Sequence, residues 1–138
     1  YGLIKPLDLI QPYRLEMGTK LSFESNMNLY DYWKEKITNQ LNSELSENEP
    51  VLNLASNEYF KAIDSKVIRS EIYSANFKQL KDGNYKTIAI FSKKARGMMT
   101  RFIVENNITE ISDIKSFDYD GYRLNNELSS ENELVFTR

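Results

Sequence analysis

Apolar positions recur at two periods along this chain, and the change from one to the other predicts the elements. Leu29, Trp33, Ile37, Leu41 and Leu45 fall on one stripe at the helical period, and Asn28 with Asp31 three residues on supplies a box-like cap. The spacing predicts a helix over Leu29 to Leu45, with Lys34, Glu35 and Lys36 on its solvated side. Val51 to Ala55 is an apolar run short enough for a buried strand. Ile72 to Leu80 and Tyr85 to Phe91 are strand-like and meet across Asp82, Gly83 and Asn84, a hairpin signal. Ala95, Met98, Met99, Phe102 and Ile103 then return to the helical period, with Ser92 placed as N-cap. Tyr13 to Met17 is a candidate short strand closed by Gly18, and Thr109 is placed to cap a short helix through Ser116 with Ile111 and Ile114 inward. Leu134 to Phe136 supplies a last strand.

These elements predict one α+β domain over residues 1–138. It has a mixed sheet whose β-hairpin feeds a basic helix, packed with a long amphipathic helix and a short helix-turn-helix-like pair. Pro6 and Pro12 restrict any helix in the first segment to a short piece.

The basic helix carries the candidate chemistry. Opposite its apolar face, Lys93, Lys94 and Arg101 gather around Gly97, with Arg96 at the flank. A start at Ser92 puts three of these cations at the positive end of the helix, where acidic residues would be stabilising. Gly97 costs about 1 kcal/mol relative to alanine in a helix interior. Two broken local rules in one place point to a site, and clustered cations beside bare backbone suit a phosphate or another polyanion. The plain alternatives are a solvated basic face and a glycine packed beneath a neighbouring strand.

Composition narrows the chemistry. The 138 residues contain no cysteine and no histidine, which removes thiolate chemistry, sulfur-ligated metals and the usual general base. Catalysis would rest on Lys, Tyr, Asp or Glu. With 18 basic and 20 acidic residues the net charge is −2, so an anion site has to be local. No apolar run approaches the length of a membrane span and nothing resembles a signal peptide, so the expectation is a soluble, cytoplasmic monomer with no cofactor and no metal site. An iron site would need converging carboxylates, and Asp118 with Asp120 or Glu131 with Glu133 are more simply loop charges.

A second candidate lies just past the Val51–Ala55 run. Ser56, Asn57, Glu58 and Tyr59 follow it, and sheet proteins bind ligands at the carboxyl ends of buried strands. The alternative there is an N-cap followed by a solvated turn.

Three longer strings carry a family likeness: PLDLIQPYRLEMG at Pro6–Gly18, NLASNEYF at Asn53–Phe60, and KKARGMMTRF at Lys93–Phe102, followed by Asp120, Gly121, Tyr122 and the run Glu133 to Phe136. Together they resemble the YaaA family of bacterial peroxide-stress proteins. The resemblance runs over essentially the whole chain. Members are nearly twice as long, and the amino-terminal half with its Ser-Pro-Ala-Lys-Thr signature is absent here. The resemblance implies a cytoplasmic protein that limits oxidative damage to DNA and proteins by keeping unincorporated iron low. It also implies a basic cleft, a helix-hairpin-helix-like element and DNA binding. It carries Arg14, Asn57, Glu58, Lys93, Lys94, Arg96 and Arg101 over as family positions. Lys5 stands where arginine is usual, and Ser92 where the family tends to have an aromatic that could stack on a base.

Two functions remain open at this level. One is a module that binds nucleic acid without reading sequence, through Lys93, Lys94, Arg96 and Arg101 with help from Arg14. The other is an enzyme acting on a small phosphorylated or nucleotide-like ligand, with Glu58 or Tyr59 handling protons.

Overall fold

The computed structural model describes residues 2–22 and 28–138, and these fall into two compact units. The first comprises residues up to Glu49 together with Ala55–Glu71; the second comprises Pro50–Leu54 and Ile72–Arg138.

In the first unit, helix α1 spans Leu29–Glu44. Its Asn28 side chain accepts the Asp31 N–H at 3.0 Å, and the Asn28 amide donates to the Asp31 carboxylate at 2.7 Å. Leu29 of the apolar stripe is buried, whereas Trp33, Ile37, Leu41 and Leu45 are half-buried. The buried polar residue of α1 is Thr38, whose hydroxyl donates to the Lys34 carbonyl at 2.5 Å and accepts the Asp64 N–H at 2.9 Å. Helix α2, Asn57–Phe60, opens at Ser56, whose hydroxyl accepts the Tyr59 N–H at 3.5 Å. No strand forms over Tyr13 to Met17. A strand needs a neighbour to satisfy its backbone; here the Thr19 N–H bonds the nearby Glu16 carbonyl and the Gly18 N–H the Glu58 carboxylate.

The second unit is built on a mixed five-stranded sheet. Strand β1 is Val51–Asn53, β2 Ile72–Lys81, β3 Asn84–Lys86, β4 Arg123–Leu124 and β5 Glu133–Thr137. The order is β1-β2-β5-β4, with β3 paired to β2. β1 and β5 run parallel to β2, while β3 and β4 run antiparallel to their neighbours. The β2–β3 turn places Asp82 at φ 54 and Gly83 at φ 74, the left-handed pair that a two-residue hairpin connection demands.

The core of this unit is aromatic. Phe77 of β2 lies opposite Phe136 of β5 in register, and their rings stack at 5.4 Å. Phe117 and Tyr122 meet Phe77 edge-on at 5.9 and 5.4 Å. Leu134, Val135 and Phe136 are all buried, the pattern of a strand covered on both faces.

Helix α3, Ala89–Glu105, packs on β2. It begins a full turn earlier than Ser92. Ile88 to Phe91 had the composition of a strand end, but a short apolar run has no period of its own to separate strand from helix. Ser92 is therefore not a cap. It lies on the buried face with Ala95, Met99 and Phe102, and its N–H bonds the Ile88 carbonyl at 2.9 Å. An aromatic residue at this position would be core, not a platform for a base. Helix α4 is only Ile111–Ile114, with Glu110 and not Thr109 at its N-cap and no side-chain cap bond. A one-turn 3-10 helix, Tyr119–Gly121, precedes β4.

Candidate anion-binding site

Helix α3 has two faces of opposite character. Ser92, Ala95, Met99 and Phe102 turn inward, with Met98 and Ile103 half-buried against the core. Lys93, Lys94, Gly97 and Arg101 are exposed, and Arg96 is half-buried at the flank. Lys93 and Lys94 now stand in the second turn, not at the helix start. The macrodipole falls off within the first turn, so the penalty expected from a Ser92 start does not apply.

Gly97 keeps its anomaly. A β-carbon built there meets nothing within 4 Å, so the glycine is not making room for a strand of this chain. Nothing in the described fold offsets its helix penalty. Gly97→Ala is therefore expected to stabilise the second unit by up to about 1 kcal/mol in urea denaturation. A loss of stability would show that the bare backbone serves the fold.

Two of the cations are partly neutralised from within. Arg101 Nε donates to Glu105 at 2.8 Å, one turn on, and this bond raises the pKa of a guanidinium that is charged at any working pH. The Tyr119 hydroxyl donates to the other Glu105 oxygen at 3.3 Å. Lys94 Nζ lies 3.3 Å from Asp120 Oδ2. Lys93 forms no ion pair among the described residues, and Arg96 Nε and Ser92 Oγ are buried without a hydrogen-bond partner among them.

Asp120 corrects the expectation of a plain loop charge. Its Oδ2 is shared between Lys94 and Arg138 NH1, the latter at 2.5 Å, while its carbonyl accepts from Arg138 at 3.0 Å. The Lys94 hydrogen bond is the first cause holding its carboxyl below the ordinary range; desolvation opposes it, and the charges of Arg138 and Lys94 with the Arg138 hydrogen bond add to the lowering. Arg138 is clamped between rings, 5.2 Å from the Phe91 centroid and 4.8 Å from that of Tyr122. Gln79, with its amide oriented to suit both partners, accepts from Arg138 Nε and NH2 at 2.7 and 2.6 Å. In the sequence Asp120 reads as a loop charge and a family position, and nothing singles out Arg138. The signal was there in Asp120–Gly121, since an Asp-Gly pair often marks left-handed backbone, and Asp120 has φ 54.

The second candidate group lies in the first unit. Glu58 is exposed and accepts the Gly18 N–H at 3.4 Å, so the YRLEMG and NEYF strings meet there. Tyr59 lines a cavity of about 240 Å³ with Tyr13, Leu15, Met17, Trp33 and Ile37. Asn57 and Arg14, within these strings, are exposed, and Ser56 is occupied in capping α2. Glu58 thus belongs to one unit and the cations of α3 to the other.

A cationic helix laid on a mixed sheet, with a glycine bared at the centre of its exposed face, defines an α+β protein with a candidate anion site. The family described as "Peroxide stress protein YaaA" matches residues 1–128, and the chain belongs to that family. Among similar proteins, the UPF0246 proteins of Flavobacterium johnsoniae and Saccharophagus degradans are each 51% identical to it, and that of Francisella philomiragia is 54% identical. Each alignment covers all of this chain and 55% of the relative, so the chain spans about half the length of these relatives. Among the described residues no helix is long and apolar enough to cross a membrane.

Proposed function

We propose that this chain is the carboxyl-terminal part of a peroxide-stress protein that limits free iron and oxidative damage to DNA. In this reading the exposed face of α3 binds the phosphate backbone of DNA or another polyanion. The observation that carries it is Gly97. It sits one helical turn from Lys93 and one from Arg101, in open space, where alanine would be more stable. A phosphate strand lying along that face would come closest to the helix at the one position without a side chain. The hairpin of β2 and β3 leads within three residues into α3. In this reading α3 and the single turn of α4 would act as a helix-hairpin-helix-like pair that orients the duplex.

Each phosphate neutralised contributes about −0.9 to the slope of log affinity against log salt. For duplex DNA the wild type is expected to show a steep slope, and Lys93→Ala with Arg101→Ala to flatten it by about 2. A flat wild-type slope, or an unchanged slope in the double variant, would remove the reading. The second reading, an enzyme acting on a small phosphorylated ligand, is favoured by the exposed Glu58 carboxylate and the cavity beside Tyr59.

A further inference from the structure

The Asp120 cluster lies where the parallel strands end. Arg138 directly follows β5, its N–H donating to the Lys78 carbonyl at 3.2 Å and its carbonyl accepting the Leu80 N–H at 2.9 Å. Gln79, which holds the far edge of its guanidinium, is near the carboxyl end of β2. The carboxyl ends of parallel strands are where open sheets bind ligands. Lys94 comes to the same point from the second turn of α3, and Asp120 from the 3-10 helix.

We propose that Lys94 and Arg138 form a phosphate-binding site, that the Asp120 carboxylate occupies it in the free protein, and that a phosphate-bearing ligand binds by displacing Asp120. This rests on the anion-binding reading of α3 and extends it to residues outside that helix's exposed face.

The geometry supplies the reasons. One carboxylate oxygen lies between an ammonium and a guanidinium that reach it from different elements, the position a phosphoryl oxygen takes between such groups. The Arg138 side chain has its own supports in Phe91, Tyr122 and Gln79, so it stays in place when Asp120 leaves. Lys94 gives Asp120 a single hydrogen bond and its side chain is 63% exposed, which leaves it within reach of an incoming anion. The three charges sum to +1 with Asp120 ionised and to +2 without it. Asp120 therefore competes with any anionic ligand for the same two cations.

A prediction follows whose sign is unusual for a site residue: removing Asp120 strengthens binding. Asparagine tolerates φ 54 and keeps the shape of the side chain, so Asp120→Asn preserves the backbone. Glu127→Gln, an exposed position in the turn after β4, removes one negative charge elsewhere and serves as the control. The probes are a short DNA duplex, carrying phosphodiesters, and adenosine monophosphate, carrying a monoester.

Asp120→Asn is expected to bind at least one probe about three- to tenfold more tightly than wild type. For the duplex its salt slope should steepen by about 0.9, one added phosphate contact. Glu127→Gln should do neither, and adding Lys94→Gln to Asp120→Asn should abolish the gain. Tightening for the duplex alone assigns the site to a nucleic-acid backbone, and tightening for the mononucleotide alone to a small phosphorylated ligand. If wild type binds the duplex with a steep slope but Asp120→Asn behaves like Glu127→Gln, the inference falls and the α3 reading stands. If neither protein binds either probe, both fall.

A measurement on the wild type covers the case in which the variant does not fold. Carboxyl ¹³C titration of Asp120 should show its depressed pKa moving up towards the ordinary range when the bound probe takes over Lys94 and Arg138. A pKa that stays depressed with probe bound would overturn the displacement.

Discussion

Phe77→Ala is expected to destabilise the second unit by about 3–5 kcal/mol, the range for truncating a buried phenylalanine. Phe77 is 1% exposed and is the ring on which the others converge: Phe136 stacks on it, while Phe117 and Tyr122 meet it edge-on. Each aromatic pair contributes about 0.5–1.5 kcal/mol beyond simple burial, so truncation removes three such contacts and leaves a cavity bordered by Phe117, Tyr122 and Phe136. Domains are stable by about 5–15 kcal/mol in total, so the loss takes a large share of the margin. Phe77→Leu, which keeps most of the volume, should cost appreciably less. Amide exchange along β5 is the probe, because the only tryptophan, Trp33, belongs to the first unit. A cost below about 1 kcal/mol for Phe77→Ala would show that the ring cluster is not the core of this unit.

The same core shows what the sequence made legible. Leu134 to Phe136 could be read as a strand because a continuous apolar run fits a strand covered on both faces. The inward positions of α3 were legible because Ala95, Met99 and Phe102 repeat at the helical period over several turns. Asn28 was legible because a cap is a local interaction between residues three apart. The misplaced start of α3 has the opposite cause. Ile88 to Phe91 covers a single turn, too short for a period to emerge, and a serine at the end of an apolar run has the same appearance as a cap whether or not its hydroxyl faces solvent. Ser92 instead turns inward and is 2% exposed.

The candidate site divides along a similar line. Lys93, Lys94, Gly97 and Arg101 could be grouped from spacing alone, since one helix carries them all. Asp120 and Arg138 could not, because Asp120 is 26 residues from Lys94 and 18 from Arg138 in the chain. Pairings at such distances are set by the closure of the sheet and leave no periodic trace. They also change the meaning of the helix. Cations that spacing grouped as one patch differ in the structure: Arg101 and Lys94 have carboxylate partners of their own, and Lys93 has none among the described residues. Any anion reaching this face therefore meets Lys93 uncontested and the other two in competition.

In the first unit, the largest effect is expected from Thr38→Val, which should cost about 1–3 kcal/mol, the penalty for leaving a buried polar group unsatisfied. Thr38 is 2% exposed, and its hydroxyl is the acceptor for the Asp64 N–H at 2.9 Å. Valine keeps the β-branched shape and the helix contacts, so the loss falls on the hydroxyl's bonds to the Asp64 N–H and the Lys34 carbonyl. Thr38→Ser makes the reverse trade: it keeps the hydroxyl and gives up a methyl group worth about 0.8 kcal/mol of burial. Valine costing more than serine, read by Trp33 fluorescence in urea, would identify the bond and not the packing as the element that fixes the 61–66 segment to α1.

The same variant has a signature in pH. The Asp64 carboxyl is held below its ordinary value, first by the Lys66 N–H and then by Lys34, whose ammonium lies 3.3 Å away. A depressed carboxylate adds stability that is present above its ordinary value and lost as pH falls through the folded one. Once Thr38 no longer holds the Asp64 backbone, that pKa should drift upward and the acid limb of the stability curve should flatten. An acid limb identical in wild type and Thr38→Val would mean that Asp64 keeps its contacts to Lys34 and Lys66 without the hydroxyl.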